Sequence, residues 1–416
     1  MEKIEKIEVG NSPVYFYDSS KYKNAAIKLQ FNFKFEEVNL VALKTLSALL
    51  TLANKEYNSI PAMANYLESL YGTTINAEVV ARGESVVLTV CANYLSEEYT
   101  EKGNTEKIIS LLKDMIYHPN FKGGLFEKGY FKMILDRIYN VQKSALERKE
   151  VYAVSQYGKL FEGTQFHQLD IIDNKKILKL KQEEVLKQYE LLLNAPMKIF
   201  VVGDNNKENI LQLIGENFNL NNKQIDFKYR YPIETFKGPV VEKSKKYSQS
   251  FLIMLFNHGV FANDPDYYKM MVATAVLNNK LFKQVREKAG LCYMVYARNL
   301  STNGVFEVLT GIEAKNYNKA MRIIQKQFEA LKAGKITKKE FKMSKESVVG
   351  SIVSTKDSLG YMLNNRLLDF SMFDKYVSID EVIEKLKEVT IEDIPNVLSK
   401  VQYLTHYFLK GVGGNE

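Results

Sequence analysis

Between residues 26 and 35 the chain reads AIKLQFNFKF, with Ile27, Leu29, Phe31, Phe33 and Phe35 alternating against polar neighbours. A period of two predicts a strand buried on one face. From Glu37 the period lengthens, and Leu40, Leu43, Leu46, Leu49 and Leu50 predict a helix ending near Asn54. A second helix is predicted around Ile60 to Leu70, stopped by Gly72, since glycine suits the left-handed turn that closes helices. Two strand-like stretches follow, TTINAEVV and ESVVLTVCA, and then a helix through Ile108, Leu111, Leu112 and Met115.

The second half repeats that order. SQSFLIMLF predicts a strand, Pro265 opens a helix through Met271, Ala275 and Val276, and a further helix runs to Ala289 and stops at Gly290. LCYMVYARN and GVFEVLTGIEA predict two more strands, followed by a helix through Tyr317, Ala320, Ile324 and Phe328. The halves also close alike. ILKLKQEEVLKQYELLLNAPMKIFVVGDNN and VIEKLKEVTIEDIPNVLSKVQYLTHYFLKGVGGN each read as a short acidic helix, a longer helical piece and an edge-like apolar strand ending in glycine. Between them, NFNLNNKQIDFKYRYPIETFKGPVVEK is polar and then punctuated by Pro and Gly, as linkers are. The expected fold class is α+β: two tandem related domains, 1–220 and 238–416, joined by a linker at 221–237. Each is expected to be a mainly antiparallel sheet covered by helices.

The length of 416 residues exceeds what one ordinary core organises, in agreement with two domains. The net charge of +8 is small against 57 basic and 49 acidic residues. Lys243, Lys245 and Lys246, or Lys338 and Lys339, sit among acids and polar residues and form no basic stripe interleaved with aromatics. No nucleic-acid partner is therefore expected. FLIMLF is too short to span a bilayer, and MEKIEKIEVG lacks the apolar centre of a signal peptide, so no membrane partner or export is expected. Cys91 and Cys292 fall in apolar strand-like contexts, which predicts two buried thiols rather than a disulfide, in a reducing cytoplasm.

A metal site needs lone-pair donors brought together, commonly two from one helix at i and i+4. His118, His167, His258 and His406 have no such spacing and read as surface or packing residues. GVGG near the C-terminus follows a strand and opens no helix, so it is no phosphate loop. No Ser/His/Asp or Cys/His grouping stands out. Arg286 and Tyr293, in REKAGLCYMVYA, remain. Arginine offers a fixed fork of donors for a carbonyl or carboxylate, and a tyrosine hydroxyl can donate to a developing oxyanion. Both also have an ordinary reading, as a residue complementing a helix dipole and as a common strand former.

With the repeat and VREKAGLCYMVYA together, the chain resembles the pitrilysin/insulinase family, which includes mitochondrial processing peptidase. Members are zinc peptidases with an inverted HxxEH motif on a helix. The resemblance covers nearly the whole chain as a tandem of two family domains. Its sharpest element is an Arg-x6-Tyr in the second domain, matched by Arg286 and Tyr293 with Gly290 and Leu291 between. In active members this pair helps bind substrate and stabilise the oxyanion.

The first domain departs from the family. Placing NYLESLYGTTINAEVVARGES on the family's pattern sets the zinc motif at KTLSA. Lys44 and Ala48 then stand where the two histidines belong, and Ser47 where the glutamate base belongs. The third zinc ligand falls around Asp136 or Arg137, and no histidine precedes His118. Ser47 cannot replace the base, because an unactivated hydroxyl is far too weak. The family's peptide-holding edge strand corresponds to TTINAEVVA, and its glycine-rich stretch before the second motif is replaced by VLNNKLFKQ.

The resemblance implies a non-catalytic subunit of a heterodimeric zinc peptidase. A homologous HxxEH-containing partner would hold zinc, this chain would hold no cofactor or metal, and Arg286 and Tyr293 would serve the peptide substrate in trans. The alternative is a catalytically inactive peptide-binding or assembly protein of the same fold. A third possibility is an independent enzyme with a different nucleophile.

Overall fold

The computed structural model describes residues 3–161, 164, 174–203, 206–221, 224–244 and 247–412. Of the residues named or quoted above, Met1, Glu2, His167, Asp204, Asn205, Asn222, Lys223, Lys245, Lys246, Gly413, Gly414 and Asn415 lie outside these. The first strands are β1 (Lys3–Val9), β2 (Ser12–Asp18), β3 (Asn24–Lys34), β4 (Thr74–Arg82) and β5 (Ser85–Leu95). A small hairpin, β6 (Phe121–Lys122) and β7 (Leu125–Phe126), follows, and then β8 (Met197–Val202). The later strands are β9 (Val240–Ser244), β10 (Ser250–Asn257), β11 (Cys292–Leu300), β12 (Val305–Ile312) and β13 (Gln402–Gly411).

These strands make a six-stranded sheet ordered β1-β2-β8-β3-β5-β4 and a five-stranded sheet ordered β11-β12-β10-β13-β9. Pairing is antiparallel except between β2 and β8 and between β13 and β9. Read as β2-β8-β3-β5-β4 and β9-β13-β10-β12-β11, the two sheets have one topology, so the repeat extends to strand order. The strands expected at sheet edges, β8 and β13, are interior instead. Parallel neighbours β2 and β9 cover their outer sides, and both strands are buried along most of their length.

The leading helices are α1 (Leu40–Leu50), α2 (Ile60–Ser69), α3 (Asn104–Tyr117), α4 (Lys128–Glu147) and α5 (Lys149–Gly158). The helix expected from Glu37 starts at Leu40, because Asn39 caps it by accepting from the Ala42 amide. Residues Phe35–Glu37 make a separate 3-10 turn.

The chain forms two compact units, each drawn from three stretches. One contains Met1–Gln142, Ile172–Lys228 and Asp357–Tyr376; the other contains Lys143–Ile171, Tyr229–Lys356 and Val377–Glu416. Each half of the chain thus lends the other half a helical segment.

In the first unit, Ile27, Leu29, Phe31 and Phe33 of β3 pack in a core with Leu43 and Leu46 of α1 and Ile108 and Leu112 of α3. The opposite face of β3 was expected to be open, yet Lys28, Gln30 and Asn32 are buried. The lent helical segment, residues 359–373 with a π turn at Met362–Arg366, lies on that side. Lys28 Nζ donates to Asn364 Oδ1 at 2.8 Å, and Lys198 Nζ to the Ser371 carbonyl at 2.9 Å. Phe370 meets Tyr15 edge-on at 5.3 Å between centroids. Ion pairs Lys21–Asp357 at 2.7 Å and Lys6–Asp374 at 2.9 Å hold its two ends. Burial pushes the Lys28 ammonium below its ordinary pKa and that of Lys198 down to about 8.

In the second unit, Ile253, Leu255, Leu309 and Tyr407 pack against Ala153, Tyr157, Leu160 and Phe161, from α5 and the turn after it. Tyr296 OH donates to Glu150 Oε1 at 2.9 Å on this side. Phe328, from the helix Tyr317–Lys332, stacks on Phe256 at 4.1 Å. The segment 224–238 contains no helix or strand but is hydrogen-bonded along its length. The Lys228 carbonyl accepts from the Glu84 amide at 2.9 Å, and the Lys237 amide donates to the Leu160 carbonyl at 2.7 Å. Among the described residues no helix is long and apolar enough to cross a membrane.

Candidate functional site

Arg286 stands near the end of one continuous helix where two were expected. The helix Tyr267–Leu281 passes without a break into a π turn, Phe282–Lys288. In the first half a loop separates α1 from α2, but here nothing breaks the helix before Gly290. The wider turn closes with the Leu291 amide on the Val285 carbonyl at 3.0 Å and the Gly290 amide on the Arg286 carbonyl at 3.1 Å. Gly290 has φ +61° and open space around it, so glycine is required by conformation and not by crowding. Arg286 is exposed, with its guanidinium carbon 4.9 Å from the centroid of the Phe282 ring.

Tyr293 follows in β11, an edge strand. Strict alternation would place it on the same face as Val295 and Ala297, which are buried. Instead the β11–β12 register slips between Cys292 and Met294, and Tyr293 is 85% exposed. A bulge of this kind re-aims a side chain. Among the described residues, no hydrogen bond engages the Tyr293 hydroxyl and no ion pair engages Arg286. Burial pushes the Cys292 thiol up, while the Thr310 hydroxyl and the Arg286 charge pull the other way. The two exposed groups offer a planar donor fork and a phenolic hydroxyl, suited to a carbonyl, a carboxylate or an oxyanion.

The positions matching the zinc motif lie on α1, three and four residues apart and so on one side of the helix. Lys44 and Ala48 are half-buried, and Ala48 packs against the core. Ser47 is buried and donates its hydroxyl to the Lys44 carbonyl at 2.9 Å. Asp136 and Arg137 are exposed on α4, whose core-packed residues include Phe131, Ile134, Leu135 and Ile138. An ammonium, a methyl group and a hydroxyl tied to its own helix do not fit a zinc ion. Among the described residues no three His, Cys, Asp or Glu side chains form a group that could hold a metal.

Residues 179–348 match the model of the peptidase M16 inactive domain. The chain is also 23% identical over 425 residues, 98% of each chain, to a probable inactive metalloprotease, YmfF, of Bacillus subtilis. The chain is an M16-like protein without the active-site motif. Two solved structures share its fold. A conserved protein from Enterococcus faecalis has a TM-score of 0.91 at 22% identity, covering 99% of this chain and 100% of that one. A peptidase M16 inactive domain from Pseudomonas fluorescens has a TM-score of 0.76 at 16% identity, covering 99% of each.

In this M16-like chain the described histidines are all engaged within the protein. His118 Nδ1 lies 2.8 Å from Asp114 Oδ1 at the surface. His258 accepts from the Val260 amide and contacts Asn299 Oδ1, and burial lowers its pKa to about 4. His406 sits between the hydroxyls of Tyr317 and Tyr403, 2.6 Å from each, and burial lowers its pKa too. Cys91 and Cys292 are free thiols and half-buried, more open than the strand context suggested. Burial pushes the Cys91 thiol up to about 11. Phe282 is the site residue that sequence reasoning passed over. Its signal was the spacing of four to Arg286 within a predicted helix.

Proposed function

We propose that this M16-like chain is the non-catalytic subunit of a two-chain zinc peptidase, with a homologous HxxEH-bearing partner. The coarser statement, a catalytically inactive M16-like protein, rests on the match to the M16 inactive domain and on the likeness to a probable inactive metalloprotease. The finer reading rests on Tyr293. Internal packing gains little from an 85% exposed phenol on a bulge or from the exposed Arg286 nearby in sequence, so both are explained by what they meet in solution. Arg286 would grip a peptide carbonyl or carboxylate, and Tyr293 would donate to the oxygen that becomes negative during hydrolysis. Zinc in the partner would supply the activated water. Reconstitution tests this: the mixed chains should form a stable complex and hydrolyse a peptide faster than either alone. A stable complex no faster than the partner by itself contradicts it.

A second reading, an inactive peptide-holding or assembly protein, is favoured by β4. This nine-residue edge strand pairs with β5 without a register shift, leaving a regular ladder for an added strand. Binding of a labelled unfolded peptide by the chain alone, unchanged by Arg286→Ala, would support it over the two-chain enzyme. Residence in a reducing cytoplasm is part of the proposal and rests on the two free thiols. Alkylation of both thiols in protein denatured directly from cells checks that, and a thiol already blocked by oxidation contradicts it.

A further inference from the structure

Phe282 is 41% exposed, and the Arg286 guanidinium carbon lies over its ring, 4.9 Å from the centroid. Four residues apart on one helix, Phe282 and Arg286 lie on the same side of it and within reach of each other. The ring therefore lies against the guanidinium while Arg286 stays exposed to solvent.

We propose that Phe282 is a positioning residue, holding the exposed Arg286 guanidinium over its ring before substrate arrives. An arginine restrained in this way loses less side-chain freedom on binding. The proposal rests on the reading that Arg286 faces substrate, but its first test needs no partner. Cys292 is electrostatically coupled to Arg286, so its thiol reports where the guanidinium sits.

Alkylation of Cys292 by iodoacetamide, followed across pH by peptide mass spectrometry on the isolated chain, gives its titration. Arg286→Ala should move the titration to higher pH. Phe282→Leu, which keeps apolar bulk without an aromatic face, should move it part of the way in the same direction. Phe282→Tyr should restore the original curve, and Phe282→Leu should change nothing in an Arg286→Ala background. In the reconstituted pair, Phe282→Leu should lower kcat/KM about two- to fivefold, the worth of an exposed cation–π contact, with Phe282→Tyr retaining it. A Phe282→Leu titration identical to that of the original chain overturns the positioning role, as does an Arg286→Ala titration that does not move. If the mixture shows no hydrolysis but the titrations behave as stated, the two-chain reading fails and the positioning of Arg286 stands.

Discussion

Tyr293 and Val295 are two residues apart on β11, where strand periodicity places side chains on one face, yet Val295 is 8% exposed and Tyr293 85%. The register slip after Cys292 separates them. Tyr293 therefore sits at the edge of the sheet without belonging to its core. Replacing it by Phe or Ala should change stability by no more than about 0.5 kcal/mol, whereas Val295→Ala should cost about 2 kcal/mol. Urea unfolding of the three variants checks this. A cost well above 1 kcal/mol for Tyr293→Phe would make the hydroxyl structural.

The contact between Lys28 and Asn364 joins β3 to a segment lent by the other half of the chain. Asn364→Ala leaves a buried ammonium without its oxygen acceptor, which should cost about 1–3 kcal/mol. Lys28→Met removes the charge and should make the Asn364→Ala change nearly neutral. Hydrogen exchange in residues 357–376 should rise in Asn364→Ala alone. Additive costs in the double variant would show that the two side chains are not coupled.

Lys198 adds a pH dependence of definite sign. Its folded pKa is about 8, while an unfolded lysine titrates near its ordinary value of 10.5. Between those values the unfolded chain binds more protons, so stability rises with pH. The original chain should gain on Lys198→Met from pH 8 to 10, by at most roughly 3 kcal/mol. Urea unfolding at several pH values gives the difference, and a flat or falling difference contradicts the burial of a charged Lys198.

Much of this fold was legible along the chain, because period two in β3 and the leucine spacing in α1 are local signals. Burial on the second face of β3 was not, since its cover comes from a segment more than 300 residues away in sequence. The interior places of β8 and β13 were hidden for a related reason: β2 and β9, which cover them, pair with them in parallel and lie far off along the chain. At the site, Arg286 and Tyr293 stood out by residue type and then by resemblance. The bulge did not, because CYMVYA is a continuous apolar and aromatic run with no residue that marks a slip in register. The π turn was read as the end of a second helix, since no residue in VLNNKLFKQVREK marks the change of helix type.

Restoring the motif letters alone should not restore a zinc site. Lys44→His, Ser47→Glu and Ala48→His together supply two imidazoles on α1, but Asp136 and Arg137 are exposed away from the core-packed face of α4. Ser47→Glu also places a carboxylate at a buried position, so the triple variant should lose stability, by about 1–3 kcal/mol. Metal analysis after dialysis should find no stoichiometric zinc. One zinc per chain, with peptide hydrolysis by the chain alone, would overturn this account of α1.

The most direct measurement is peptide hydrolysis by the purified complex of this chain with an HxxEH-bearing homologue, comparing the original chain with Arg286→Ala and Tyr293→Phe. Complex formation is verified for each variant by size-exclusion chromatography. Loss of a donor to the developing oxyanion predicts that kcat falls by about 10²- to 10³-fold in Tyr293→Phe, and loss of the fork predicts a large fall in kcat/KM in Arg286→Ala. Undiminished turnover in both variants, with the complex intact, would contradict the claim that these two residues act in trans.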